Sequence, residues 1–130
     1  MITFITGTPG AGKTLFTLER IHNDWGKSIQ GKAKDNDGNV LPARAIFYCG
    51  IRELSLPGWT EISYDQVGKW WELPPGSIIL VDEAQKVWER RSPNKPIPES
   101  VKRLDTHRHQ GYDFYLITQK PTNVDHDARG

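Results

Sequence analysis

The chain has 130 residues, a formal net charge of +1 and 36% hydrophobic residues, which suits one globular domain able to bury a real core. A balance so close to neutral excludes bulk electrostatic attraction to nucleic acid or membrane, and no apolar run approaches the ~20 residues that cross a bilayer. One cysteine, Cys49, excludes an intramolecular disulfide and is compatible with a reducing compartment.

Met1 leads directly into the apolar run Ile2 to Ile5, which reads as a buried strand, so no signal peptide is expected. Gly7-Thr8-Pro9-Gly10-Ala11-Gly12-Lys13-Thr14 comes next. Leu15, Phe16, Leu18, Ile21 and Trp25 then fit one face of a helix. Strand, glycine loop and helix together turn G-x-x-x-x-G-K-T into a phosphate site. The glycines let the backbone curl so that successive N–H groups form a nest for anionic oxygens. The helix start adds its positive dipole end. Lys13 is expected to reach the β- and γ-phosphates of a nucleotide, and the Thr14 hydroxyl to ligate Mg²⁺.

Asn23 to Ala43 is rich in Gly, Lys, Asp and Asn and reads as a hairpin excursion or a mobile loop, with its tip at Lys34 to Asn39. It lacks the spacing and closing glutamate of a calcium loop. Arg44 to Cys49 is the second strand, Leu56-Pro57-Gly58 a turn, and Trp59 to Ile62 a short edge strand. Ser63 with Gln66 resembles a capping box that opens a helix through Trp71, weakened at Gly68 and ended by Leu73-Pro74-Pro75-Gly76. The adjacent Trp70 and Trp71 are expected to be packing residues.

Ser77 to Val81 is a continuous apolar, β-branched run, as in a parallel strand covered on both faces. It ends in Asp82-Glu83. An aspartate there can hold Mg²⁺ through its water shell, opposite Thr14. Glu83 can orient and deprotonate the water that attacks a γ-phosphate. Ordinary helix-starting acids would look similar in isolation, but a Walker A motif about seventy residues upstream makes this a Walker B strand. A helix is expected from there through Trp88 to Arg91, then a proline-rich loop from Ser92 to Pro98. Another helix runs from Pro98-Glu99 to His109 and stops at Gly111, and a fourth strand runs from Tyr112 to Thr118.

Alternating strands and helices define an α/β fold: a P-loop NTPase with a mainly parallel sheet flanked by helices. In P-loop ATPases with a catalytic glutamate, an extra strand lies between the Walker A and Walker B strands. By that likeness the fourth strand occupies this place, and Gln119 at its end either senses the γ-phosphate or merely caps the strand. His107 and His109 do not share a helix face, so a two-histidine metal site is not expected. Arg108 between them is either a charge stabiliser for phosphoryl transfer or a structural or partner-binding residue. Lys86 to His109 carries seven Lys or Arg against three acids, which reads first as a solvated face.

Several stretches fall together: Met1 to Thr14, Trp71-Glu72-Leu73-Pro74-Pro75-Gly76-Ser77, Val81-Asp82-Glu83-Ala84-Gln85, and Arg90 or Arg91. After them come His107-Arg108-His109-Gln110-Gly111-Tyr112-Asp113 and Leu116-Ile117-Thr118-Gln119-Lys120-Pro121. This succession resembles the N-terminal domain of the zonular occludens toxin family, which includes the assembly ATPases of filamentous phages. It covers nearly the whole chain except Asn23 to Ala43.

The resemblance implies an ATP- and Mg²⁺-dependent motor domain that drives phage assembly and extrusion through the host inner membrane. Residues 1–130 would be a single domain excised from a longer, membrane-anchored protein, with a further sheet strand beyond Gly130. The domain would lie at the cytoplasmic face of that membrane. Its implied partners are phage assembly and coat proteins, a single-stranded DNA complex and further copies of itself in a ring. Two other readings share the motifs. A DNA helicase or translocase would match Asp82-Glu83-Ala84-Gln85, but helicases of that kind need two motor domains. A small-molecule kinase would share the glycine loop but needs an acceptor pocket and lid.

Overall fold

The computed structural model describes residues 1–6, 12–52, 54, 56–88, 94–107 and 110–119, with the side chains of 105–107 outside that description. Its strands are β1 (Ile2–Ile5), β2 (Ile46–Cys49), β3 (Trp59–Glu61), β4 (Ile78–Asp82) and β5 (Asp113–Ile117). They form one sheet in the order β1-β5-β4-β2-β3, and every pairing is parallel. Thus β5 lies between β1 and β4, as the sequence leads one to expect, and Trp59–Glu61 is an edge strand.

The two-residue period of the central strands sorts their side chains onto two cores. Ile78 and Leu80 of β4, with Tyr115 and Ile117 of β5, pack on the face covered by helix α1 (Gly12–Ile29) through Ile21, Leu18, Trp25 and Ile29. Ile79 and Val81, with Phe114 and Leu116, face the other way. That face is covered by helix α2 (Tyr64–Val67), a 3₁₀ turn at Trp70–Glu72 and helix α3 (Glu99–His107). Helices on both faces of a parallel sheet explain why β4 shows no polar alternation: Ile78 to Val81 are all 0% exposed.

Two tryptophans fasten α3. The indole N–H of Trp70 donates to the Ser100 carbonyl at 2.9 Å, and that of Trp88 to the Ser100 hydroxyl at 3.2 Å. Trp70 also meets Tyr112 and Phe114 edge-to-face at 4.9 and 5.1 Å. On the other face, Trp25 donates to the Tyr115 hydroxyl at 2.8 Å, and that hydroxyl donates to Asp24 at 2.7 Å. This relay sets the position of α1, and with it the residues at its start.

Four local expectations need correction. Helix α1 does not stop at Asn23; it continues to Ile29 because Trp25 and Ile29 extend its buried stripe. Its apolar face begins later than expected, at Thr17, while Leu15 and Phe16 are 60% and 53% exposed. The capping box at Ser63 and Gln66 is present, but α2 ends at Val67, and Gly68 gives way to the 3₁₀ turn. No α-helix follows Glu83 among the described residues. A 3₁₀ turn, Ala84–Lys86, takes its place because Glu83 adopts a left-handed conformation. Residues 89–91 of that expected helix lie outside the described residues.

Beyond α1 the chain makes a small hairpin excursion with an antiparallel bridge between Lys34 and Val40. The Asp35 carboxylate accepts the backbone N–H groups of Asn39 and Asp37, both at 2.9 Å, which accounts for the Asp/Asn-rich tip. These bonds, the Asn39 amide foremost, hold the Asp35 carboxyl below its ordinary range.

The amino ends of the strands are joined around Arg44. Its guanidinium donates to the carbonyls of Gly76 and Gly111, at 2.7 and 2.8 Å, and to the Asp113 carboxylate at 2.7 Å. It also lies 4.5 Å over the Trp25 ring. Gly111 turns into β5 with φ +84°, a conformation that other residues rarely take. The Tyr112 hydroxyl donates to the Leu73 carbonyl at 2.5 Å. Leu73-Pro74-Pro75-Gly76 and Gly111-Tyr112-Asp113 therefore form one structural joint. Arg44→Ala would leave Asp113 paired with the Met1 ammonium at 3.3 Å but would take the guanidinium from its other oxygen and from the Gly76 and Gly111 carbonyls. It is expected to destabilise the fold by about 2–3 kcal/mol in urea unfolding. An unchanged midpoint would show that the joint contributes nothing.

Candidate nucleotide site

At the opposite, carboxyl edge, three strand ends stand level. Ile5 of β1 and Asp82 of β4 are both in register with Ile117 of β5. Ligands bind at this edge of open parallel sheets, beside the strand ends. Gly7, Thr8, Pro9, Gly10 and Ala11 lie outside the described residues, as does Arg108. The chain is described again from Gly12, where α1 begins.

Lys13 and Thr14, on the first turn of α1, are partly buried. Thr17, fully buried, donates its hydroxyl to the Lys13 carbonyl at 2.7 Å and so ties that turn together. The positive charge of Lys13 acts on Asp82 across the sheet edge. Burial pushes the Asp82 carboxyl above its ordinary value and the neighbouring Glu83 charge adds to this, while the Glu83 backbone N–H, Lys13 and Lys86 pull it down. The Glu83 N–H donates to Asp82 Oδ1 at 2.8 Å.

Glu83 has φ +53° and ψ +55°, the one positive φ outside glycine among the described residues. Such a conformation costs roughly 1–2 kcal/mol and persists only where neighbours hold it. Its carboxylate pairs with Lys86 at 2.8 Å. Just before it, the Asp82 carbonyl accepts the Tyr64 hydroxyl at 3.1 Å. Tyr64 in turn lies against Gly50 at the end of β2. A Cβ on Gly50 would collide with the Tyr64 hydroxyl and stand 2.9 Å from the Asp82 carbonyl oxygen, and Gly50 has φ +83°. Cys49 beside it is buried, and burial, with the Glu61 charge, pushes its thiol up to about 11.

On the β5 side, the Thr118 N–H donates to the Ile5 carbonyl at 3.1 Å, and its hydroxyl donates to Gln85 Oε1 at 2.8 Å. Thr118 thereby links the strand leading into the glycine loop to the segment after Glu83. Gln119 comes next, exposed at the same edge.

Lys13, Thr14, Asp82, Glu83 and Gln119 are thus all carried by elements that end or begin at this edge. The sequence reading missed Tyr64, Gly50, Lys86 and the Thr118–Gln85 bond. Only Lys86 had a readable signal, its three-residue spacing from Glu83. Among the described residues no three His, Cys, Asp or Glu cluster as a protein-only metal cage. The available donors, one threonine hydroxyl and one partly buried carboxylate, still suit Mg²⁺, which takes few protein ligands and keeps waters and phosphate oxygens.

Comparison with known proteins shows what the chain as a whole is similar to. The N-terminal domain of zonular occludens toxin from Neisseria meningitidis is 35% identical, with a TM-score of 0.73 over 98% of this chain and 71% of that one. ORF301 of Pseudomonas phage Pf3, provisionally named an assembly protein, is 30% identical over 99% of this chain. The chain spans 39% of ORF301's length. The genome packaging NTPase B204 of Sulfolobus turreted icosahedral virus 2, solved with ATPγS, is 15% identical with a TM-score of 0.66 over 98% of this chain and 68% of that one. Its likeness is one of fold, that of the P-loop NTPases. The family model for zonular occludens toxin matches residues 1–130, and with these relatives in view the chain belongs to the zonular occludens toxin (Zot) family.

Proposed function

We propose that this chain is an ATP-hydrolysing motor domain that drives filamentous phage assembly and extrusion through the host inner membrane. The observation that carries this reading is that β1, which leads into the glycine loop and Lys13, and β4, which ends in Asp82-Glu83, end level at one sheet edge on either side of β5. The Zot family membership and the likeness to a phage assembly protein support the phage part.

In this reading the glycine loop from Gly7 and the amino end of α1 cradle the phosphates through backbone N–H groups. Lys13 binds the β- and γ-phosphate oxygens. Thr14 and Asp82 hold Mg²⁺, whose charge offsets that developing on the transferred phosphoryl group. Glu83 orients the attacking water and takes its proton, and Gln119 faces the γ-phosphate. Arg108 completes the charge balance from a neighbouring subunit in a ring. The domain works at the cytoplasmic face, anchored through parts of the protein outside these residues. Among the described residues no helix is long and apolar enough to cross a membrane. Phage coat and assembly proteins, or a single-stranded DNA complex, are the load.

Lys13→Ala tests the binding half. It is expected to weaken Mg-ATP at least tenfold by calorimetry, with the melting temperature unchanged, and wild-type affinity would remove the site assignment. Phosphate release without an acceptor, then with single-stranded DNA, then with small metabolites, separates this motor from a helicase and from a kinase.

A further inference from the structure

We propose that Tyr64 and Lys86 are positioning residues that aim the Glu83 carboxylate, with Gly50 providing the space that lets them do so. The inference rests on the reading of Glu83 as the group that receives the water's proton. It starts from the left-handed backbone at Glu83, which needs a cause. Besides the turn's own Lys86 N–H to Glu83 carbonyl bond and the Thr118–Gln85 bond, three contacts bear on Asp82 and Glu83 themselves. Tyr64 donates to the Asp82 carbonyl at 3.1 Å, the Glu83 N–H donates to Asp82 Oδ1 at 2.8 Å, and the Lys86 ammonium meets Glu83 Oε2 at 2.8 Å.

The contacts are coupled. The Lys86 ammonium lies 5.5 Å over the Tyr64 ring, so one side chain supports both the ring and the carboxylate. Tyr64 opens α2, and the reciprocal Ser63–Gln66 capping box fixes where α2 begins. Its ring then rests where Gly50 has no side chain; any Cβ there would collide with the hydroxyl. The end of β2, α2, the end of β4 and the 3₁₀ turn Ala84–Lys86 thus converge on two adjacent acids.

Stability does not explain the Lys86 contact. Its side chain is 52% exposed and that of Glu83 47%, so the pair is worth little to folding. Direction is what it supplies. A glutamate has three rotatable bonds, and a carboxylate free to swing spends little time in line with a water. Lys86 selects one direction, and Tyr64 fixes the backbone from which the side chain departs.

Lys86→Met and Tyr64→Phe are each expected to lower kcat about tenfold in the full-length protein, with KM within twofold and the melting temperature within a degree or two. Lys86→Arg restores most of the rate, since a guanidinium can reach the same carboxylate. The double variant loses less than the product of the single effects, because both residues serve one turn. Independently of turnover, hydrogen exchange at the Glu83 to Trp88 amides is expected to rise several-fold in both variants and to stay unchanged in α1 and β5. Unchanged exchange in this turn, unchanged kcat, or a kcat that rises when Lys86 is removed would each overturn the proposal. Glu83→Gln, run in parallel, separates the two ideas. If it is inactive while Lys86→Met matches wild type, positioning fails and the base stands; if it is fully active, the reading of Glu83 itself fails.

Discussion

Glu83→Gln is expected to leave Mg-ATP bound and to slow its hydrolysis by on the order of 10²–10⁴-fold, the range for losing a positioned general base. Glutamine has nearly the same shape and can still accept a hydrogen bond from water, but its amide cannot take up a proton. The substitution keeps the backbone contacts of the turn, because the N–H to Asp82 Oδ1 bond and the Tyr64 to Asp82 carbonyl bond involve no side-chain atom of Glu83. It does give up the ion pair with Lys86. Lys86→Met is therefore the control: whatever share of the slowing comes from losing that pair should appear there at full carboxylate strength. Binding of a fluorescent nucleotide and single-turnover phosphate release, measured on the same preparation, separate affinity from chemistry. Turnover at the wild-type rate would reduce Glu83 to an acid at a strand end.

The parts of this site that were legible in the sequence are those fixed by local rules. A glycine loop between an apolar run and an amphipathic stretch has one common use; the expectation for Lys13 and Thr14 comes from it, and both stand on the first turn of α1. The run Ile78 to Val81 announced a strand buried on both sides because no polar residue interrupts it. The turn after Glu83 was not legible. A pair of acids after a strand usually opens a helix, but here a left-handed residue intervenes, and its supports come from α2 and β2. Tyr64 lies 18 residues from Asp82, and no periodicity connects them. Gly50 is one glycine among twelve, and its importance appears only when the Tyr64 ring is seen lying over it. The start of α1 misled for another reason. Leu15 and Phe16 match the apolar period, yet they precede the part of the helix that lies on the sheet and remain exposed. Likewise the stretch from Gly111 to Asp113, conspicuous beside Arg108, turns out to serve the joint around Arg44. That joint explains the glycine, the tyrosine and the aspartate without reference to a nucleotide, and it leaves Arg108 unexplained.

Arg108→Ala is expected to lower turnover by ~10³-fold or more, with nucleotide affinity nearly unchanged, if it supplies charge to the γ-phosphate as an arginine finger does. Arg108 and His109 lie outside the described residues, and the chain is described up to His107 and again from Gln110. Helix α3 ends at His107, and β5 begins at Asp113, at the amino edge of the sheet. The candidate nucleotide site is at the carboxyl edge, the length of β5 away, which for a five-residue strand is about 16 Å. By the rule that ligands bind beside the carboxyl ends of strands, a residue shortly ahead of β5 is expected far from its own subunit's nucleotide. It can serve the next subunit's if copies associate head to tail, the heterologous contact that closes into rings. The consequence is complementation. Lys13→Ala protein keeps an intact Arg108, and Arg108→Ala protein keeps an intact nucleotide site. Neither alone should turn over. Mixed in equal amounts and allowed to exchange subunits, roughly a quarter of the interfaces pair an intact arginine with an intact site, and activity should return to about that level. The specific activity of the unmutated protein should also rise with concentration as rings form. Mixtures that stay inactive, or a monomer whose rate per subunit is independent of concentration, would remove Arg108 from the chemistry and leave it as a structural or partner-binding residue.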